Sequence, residues 1–226
     1  MAVWPTFERP DPAVIEAFKG LSTPTVHEAM GKGGAMSPAI KPLYSGMKVC
    51  GPALTVSCHP GDNLPIHYAV TFARPGDVLV VDTGNHADAG PWGDVLTTAA
   101  MARCIAGLVI DGSVRDAESI RSMGFPVFAR GTCMKGTTKQ LPGDINVPIL
   151  CGGVLVSPGD LVLGDDDGVV VVPKAQLVSV LEAARQREAK EERMRAELRA
   201  GKTTVELLGL EEVLRATGML KEPAPL

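Results

Sequence analysis

The sequence predicts an α/β fold with a helical C-terminal tail, and three observations carry that prediction. Short Val- and Leu-rich runs such as "KVCGPALTVSC" and "DVLVVD" alternate with helical stretches such as "NLPIHYAVTFA". The 25 glycines and 18 prolines punctuate those runs with tight turns. From Lys174 to Arg199 the texture changes to one long, highly charged helix. A chain of 226 residues, 45% hydrophobic and 21% charged, can bury one sizeable core without disulfides. A core domain is therefore expected over 1–173 and a helical extension over 174–226.

The elements follow in order. Asp11 before Pro12, an apolar pattern and then Gly20 mark a short helix over 11–20, and Ser22 or Thr23 ahead of Pro24 caps a second, "PTVHEAMG". Strands are expected at 48–58 and 77–82, with a helix over 63–73 between them. A helix over 94–106, a strand over 107–111, a turn, a helix over 116–123 and a strand over 126–129 come next. A loop through Pro148 leads to strands near 149–156, 160–164 and 168–172. After the long helix and a glycine break, a last helix lies near 204–217. Two segments, "RPGDVLVVDTG" and "SPGDLVLGDDDG", each place a Pro-Gly-Asp turn before a short apolar strand, a shared unit too short to establish duplication.

Composition narrows the function. A net charge of −4 supplies no clustered basic surface, so nucleic acid is not the expected partner and a small molecule is. Five cysteines, with no C-x-x-C pair and mostly apolar neighbours, read as reduced core residues, and structural zinc is not expected. The N-terminus "MAVWPTFERPDP" lacks a basic region followed by an apolar run, and no stretch of 18 uncharged apolar residues occurs. The expectation is a soluble, cytoplasmic protein that does not enter a membrane.

One stretch concentrates chemistry at its ends: "GDVLTTAAMARCIAGLVIDGSVRD", Gly93 to Asp116. A helix of about thirteen residues rises roughly 20 Å, and about six strand residues return roughly the same distance. Asp94, Arg115 and Asp116 can therefore meet at one rim of the sheet. The free N–H groups at Val95 and Leu96 would form an anion seat there. Two carboxylates suit Mg²⁺ or Mn²⁺, which prefer oxygen ligands and keep several waters. The plainer alternative is that Asp94 is a helix cap and Arg115 and Asp116 a turn and the next cap.

Taken with "TPTVHEAMGKGG", "PGDNLPIHYAV", "PGDVLVVD", "MGFPVFARG" and "PGDLVLGDDDGVVVVP" in that order, this stretch resembles the class II pyruvate aldolases that cleave 4-hydroxy-4-methyl-2-oxoglutarate and 4-carboxy-4-hydroxy-2-oxoadipate. Their superfamily includes the RraA regulators of ribonuclease E. The resemblance implies an RraA-like α/β sandwich, similar to the swivelling domain of phosphohistidine proteins and assembled as a homotrimer or homohexamer, with the tail at the interface. It implies that Asp116 binds a divalent metal directly, Asp94 binds it through water, and Arg115 meets the keto or enolate oxygen. It further implies that the Val95 and Leu96 amides hold the pyruvyl carboxylate and that Asn63 and His67 line the site. Glu28 and Glu191 would approach from a neighbouring subunit. Leu177, Ala184, Glu191 and Leu198 recur every seven residues, which sets Glu191 on its helix's apolar stripe; a solvated helix end is the other reading. The implied reaction is retro-aldol cleavage to pyruvate and oxaloacetate or a second pyruvate, with oxaloacetate decarboxylation as a side activity, in the breakdown of aromatic acids.

Other motifs read as structure. "GDDDG" lies between strand-like runs and lacks the ligand spacing of a calcium loop, so a hairpin turn is expected. "AGKTT" lacks the leading glycine and the preceding strand of a phosphate loop. His27, His59 and His86 have no paired ligand spacing, and "GKGG" at 31–34 is expected as a turn near the site. Two rival functions stay open: an RraA-like regulator that binds a ribonuclease without chemistry, and a class I aldolase using Lys135 or Lys139.

Overall fold

The computed structural model describes residues 1–220; the expected extension over 174–226 runs past them, and its last six residues lie outside the described ones. The chain divides into two compact units, one over Met1–Ala184 and a second beginning at Arg185.

In the first unit, helix α1 (Pro12–Phe18) starts where the Asp11 side chain accepts the Ala13 amide, and α2 (Thr23–Ala29) starts at Ser22, whose hydroxyl accepts from Thr25. Strand β1 (Lys41–Pro42) precedes β2 (Val49–Ser57), α3 (Leu64–Val70) and β3 (Val78–Asp82). Helix α4 (Asp94–Ala102) leads to β4 (Gly107–Asp111), β5 (Ser113–Val114), α5 (Ala117–Met123), β6 (Val127–Ala129) and β7 (Gly131–Thr132). Then come β8 (Asp144–Ile145), β9 (Ile149–Cys151), β10 (Val154–Val156), β11 (Leu161–Asp165) and β12 (Gly168–Val172). A 3₁₀ turn at Lys174–Gln176 opens α6 (Leu177–Arg199), whose first turns, through Ala184, belong to this unit.

The main sheet runs β1-β6-β4-β3-β2-β11-β12, with β8 paired to the end of β2. Strands β2, β3, β4 and β6 are parallel, and β11 joins β2 antiparallel. The edges approach each other: Lys41 Nζ donates to the Asp167 carbonyl, and Ser45 and Gly46 donate to the Asp166 carboxylate. Alternation sorts the side chains. Val78, Val80, Val109, Val162, Val169 and Val171 face an inner core with Phe128. Leu79, Val81, Leu108 and Ile110 face α3, α4 and α5, and Leu161, Leu163, Val170 and Val172 face α1, α2 and the start of α6. This is the α/β sandwich expected, its sheet curled almost into a barrel.

The two Pro-Gly-Asp segments form the same turn. Gly76 and Gly159 take φ of 89° and 88°. The Asp77 carboxylate accepts the Arg74 amide, and the Asp160 carboxylate accepts the Ser157 amide. The strands they feed, β3 and β11, flank β2 on its two sides. "GDDDG" is a hairpin turn, with Asp165 paired to Gly168.

Several boundaries differ from expectation. Helix α4 stops at Ala102 rather than 106, because Cys104 takes a left-handed φ of 55° and the Ile105 amide turns back to the Ala100 carbonyl. The expected loop before Pro148 contains β7 and β8, and the strand near 149–156 is a hairpin of two. The expected helix over 204–217 is α7 (Thr204–Leu208) and α8 (Glu211–Ala216), broken where Gly209 takes φ of 64°. In the second unit α7 begins with a capping box between Thr203 and Glu206. Among the described residues no helix is long and apolar enough to cross a membrane.

Candidate active site

The ends of the Gly93–Asp116 stretch meet. Helix α4 rises only about 14 Å over nine residues, and the turn at 103–106 adds the rest of the path. The Asp94 amide donates to Asp116 Oδ2 at 3.2 Å, and Arg115 Nε lies 3.5 Å from the same oxygen. Gly93, not Asp94, is the helix cap, and Asp94 is the first helical residue. Asp116 occupies the position before α5 with φ of 56°, yet its side chain makes no capping bond to that helix. The cap reading therefore does not account for Asp116. A non-glycine residue held in the left-handed region, with its carboxylate turned to another helix, marks a site where the surroundings dictate conformation.

Glycine makes the approach possible. A Cβ on Gly93 would stand 2.2 Å from Asp116 Oδ2, and one on Gly90 would stand 2.4 Å from the Cys133 carbonyl. Trp92, wholly buried, fixes the loop between them: its indole N–H donates to Thr97 Oγ1 at 2.8 Å and its carbonyl accepts the Arg115 amide at 2.8 Å. Behind Arg115, the buried Asp111 carboxylate pairs with Arg130 Nε and accepts the Gly152 amide at 2.9 Å. The Arg130 amide in turn donates to the Gly112 carbonyl. These bonds hold the segment that carries Arg115 and Asp116. Neighbouring Asp82 is pushed above the usual carboxylate range by burial, with the Asp111 charge adding to it.

A cavity of about 180 Å³ opens here, lined by Asn63, His67, Gly93, Val95, Leu96 and Arg115, with Gly90, Pro91 and Lys139 completing the wall. Asn63 Nδ2 donates to the Pro91 carbonyl at 2.7 Å, which leaves its buried Oδ1 without a partner. His67 Nε2 is likewise buried and unpartnered. Burial, and then the charge of Lys139, hold the His67 pKa below its ordinary value, which favours the neutral imidazole. The Val95 and Leu96 amides in the first turn of α4 have no acceptor within their own helix. Asn63, His67, Arg115 and the first turn of α4 thus line one small volume, and beside it the Asp116 carboxylate rests against Arg115 and the Asp94 amide.

Glu28 sits on α2 and does not line the cavity. Glu191 belongs to the second unit, where Arg187 Nε is 2.9 Å and Arg195 Nη1 3.6 Å from its carboxylate. His27 Nδ1 bonds the Gly33 carbonyl. "GKGG" is a turn packed on β12, where a Cβ on Gly34 would meet the Val171 carbonyl at 2.3 Å. Lys135 is bound to Asp88 at 2.6 Å, which raises its pKa, the opposite of what a Schiff-base lysine needs. Among the described cysteines none is in a disulfide, and burial pushes Cys50 and Cys58 up to about 12.

Residues 23–171 match the profile of the RraA-like family, described as Aldolase/RraA. The chain belongs to this family. It is 40% identical over 178 residues, 79% of this chain and 85% of the other, to a protein of Halalkalibacterium halodurans named "Putative 4-hydroxy-4-methyl-2-oxoglutarate aldolase". Among solved structures, an uncharacterised protein from Pseudomonas syringae pv. tomato superposes with a TM-score of 0.78 at 30% identity, covering 87% of this chain and 97% of that one. Streptomyces coelicolor RraAS2, titled an unusual member of the RNase ES inhibitor RraA family, superposes with a TM-score of 0.76 at 34% identity, covering 84% and 99%. This Aldolase/RraA chain thus has both an aldolase-named and an inhibitor-named relative, and its own cavity has to arbitrate.

Proposed function

We propose that the chain is a divalent-metal-dependent lyase that cleaves a 4-hydroxy-2-oxo acid between carbons 3 and 4 and releases pyruvate. The observation that carries this reading is the convergence of Arg115, the first turn of α4, Asn63 and His67 on one cavity beside Asp116. A cavity of about 180 Å³ lined by a guanidinium and the start of a helix suits a small anionic molecule. The closest fit is 4-carboxy-4-hydroxy-2-oxoadipate or 4-hydroxy-4-methyl-2-oxoglutarate, and the setting is aromatic-acid breakdown in the cytoplasm.

In this reading the Val95 and Leu96 amides hold the 2-oxo acid's carboxylate, and Arg115 faces its 2-oxo oxygen. Asn63 and His67 orient the rest of the molecule. A water held against Asp94, with Glu191 as the alternative support, takes the proton of the 4-hydroxyl. The bond between carbons 3 and 4 then breaks, leaving an enolate whose developing oxyanion Arg115 stabilises. Protonation at carbon 3 gives pyruvate, and the other fragment leaves as oxaloacetate or a second pyruvate. Oxaloacetate that loses carbon dioxide passes through the same enolate, so decarboxylation accompanies the main reaction.

The donors fit Mg²⁺ or Mn²⁺: both rim carboxylates offer hard oxygens, and Asp116 is about one-third exposed to water. Among the described residues no three His, Cys, Asp or Glu side chains form a cage, so water and substrate would supply the other ligands. Asp116 would hold the ion directly and Asp94 through water, and the bound ion supplies Lewis-acid polarisation of the 2-oxo acid. A homotrimer or homohexamer that brings Glu28 and Glu191 to a neighbouring site belongs to the same proposal.

The test is pyruvate release from 4-carboxy-4-hydroxy-2-oxoadipate, first with EDTA and then with Mg²⁺ or Mn²⁺ restored. Turnover that stops with chelator and returns with metal supports the reading. Absence of pyruvate with either metal, together with stoichiometric binding of a ribonuclease, refutes it in favour of a regulator.

A further inference from the structure

Asp62 is the most heavily engaged carboxylate near the cavity, and its partners lie far away in sequence. It is 1% exposed. Its Oδ2 accepts from Thr138 Oγ1 at 2.7 Å, from the Gln140 amide at 2.7 Å and from the Leu141 amide at 3.1 Å. Its Oδ1 accepts the Leu64 amide, in the first turn of α3, at 2.9 Å. The backbones join too: the Asn63 amide donates to the Thr138 carbonyl and the Thr138 amide to the Gly61 carbonyl. One side chain thereby staples the start of α3 to an otherwise irregular segment about 76 residues further on. Burial opposes its ionisation, but the donors of Gln140, Thr138, Leu64 and Leu141 together bring Asp62 down to about 2.

The residue in the middle of the stapled segment is Lys139, which lines the cavity with His67 and Arg115. A lysine's four-carbon stem is flexible, so where its charge stands depends on where its backbone is pinned. We propose that Asp62 is a positioning residue that seats Lys139 at the cavity as a second cation, and that Lys139 takes the second carboxylate of a 2-oxo dicarboxylate substrate. The second half of this inference rests on the oxo-acid reading above; the seat itself does not.

Two measurements that need no turnover test it. The first is the NMR titration of the His67 imidazole in the whole chain, since Arg115 and Lys139 are the cations that share its cavity. Lys139→Met should move the His67 midpoint up toward 6.5, and Asp62→Asn should move it the same way. Thr138→Val, which removes one donor and keeps the carboxylate, should give a smaller shift of the same sign in a fold left intact. The second is binding of 2-oxoglutarate, which lacks the 4-hydroxyl and cannot be cleaved, against pyruvate. Asp62→Asn and Lys139→Met should each weaken 2-oxoglutarate about tenfold, the scale of one lost charge-assisted hydrogen bond, and pyruvate less than about twofold.

A His67 midpoint that responds to Lys139→Met but to neither Asp62→Asn nor Thr138→Val overturns the seat. Equal weakening of both ligands overturns the second-carboxylate role. Neither result depends on whether the aldolase assay succeeds, so the two readings can fail separately.

Discussion

Replacing Gly93 by alanine tests the seat of Asp116 on helix α4. The backbone there is extended, with φ of −155°, so alanine meets no conformational penalty. Contact is the difficulty: the new Cβ would lie 2.2 Å from Asp116 Oδ2, 3.1 Å from Arg115 Cγ and 3.2 Å from Arg115 Nε. A carbon and an oxygen not bonded to each other need roughly 1 Å more than that, at the separations where dispersion becomes attractive. The Asp116 carboxylate must therefore move by about 1 Å, which breaks its bond to the Asp94 amide and displaces Arg115 with it. Stability should fall by about 1 to 2 kcal/mol, from the lost hydrogen bond and the poorer cap. Activity should fall by about 10², the usual effect of a 1 Å misplacement in a reacting constellation. Gly131→Ala is the control, because a Cβ there meets nothing within 4 Å. The assay is kcat/KM for pyruvate release with saturating Mn²⁺, beside a urea titration of both variants. A Gly93→Ala enzyme with at least half of the normal kcat/KM would refute the argument that Asp116 must rest on the α4 terminus.

Arg115→Ala should lower kcat by about 10² to 10³ with little change in urea midpoint, since the side chain is 43% exposed; near-normal kcat removes it from the chemistry. Because His67 is held below 6.5, the unfolded chain binds more protons than the folded one between the folded value and 6.5. Stability should therefore decline as pH falls through that window, and His67→Gln should flatten the decline in urea midpoints taken from pH 7.5 to 5. Unchanged slopes would count against a buried neutral imidazole. Gly164→Ala would bring a Cβ within 2.8 Å of Phe128 Cζ and 2.9 Å of Val49 Cγ1 inside the inner core, and should cost about 1 to 3 kcal/mol. A loss below about 0.5 kcal/mol would show that this core yields easily.

The strands were legible because each is a short apolar run closed by a turn residue, and the Arg115–Asp116 rim was legible from a count of residues along one helix and one strand. What local pattern could not supply was whatever depends on a distant partner. The sequence pattern carries helix α4 four residues too far because its stop is Cys104 in a left-handed conformation, a place where glycine or asparagine usually gives the signal. Asn63 and His67 stood out through the familial run "GDNLPIH". Asp62 beside them did not, because its meaning lies in donors from Thr138, Gln140 and Leu141. The Asp111–Arg130 pair escaped for the same reason. Lys139 was visible only as a candidate nucleophile; its place on the cavity wall needed the tertiary fold.

Strand β2 sits between β3, which follows it by about 25 residues, and β11, which follows by about 110. During synthesis its first neighbour is therefore available almost at once, while its other side stays open until most of the chain has left the ribosome. An unpaired strand edge is a template for other chains, and long-range pairings of this kind form slowly. Truncations before Leu161 should accordingly leave the Asp94–Asp116 rim encoded but its central strand bare, and such fragments should gather into aggregates rather than persist as small working enzymes.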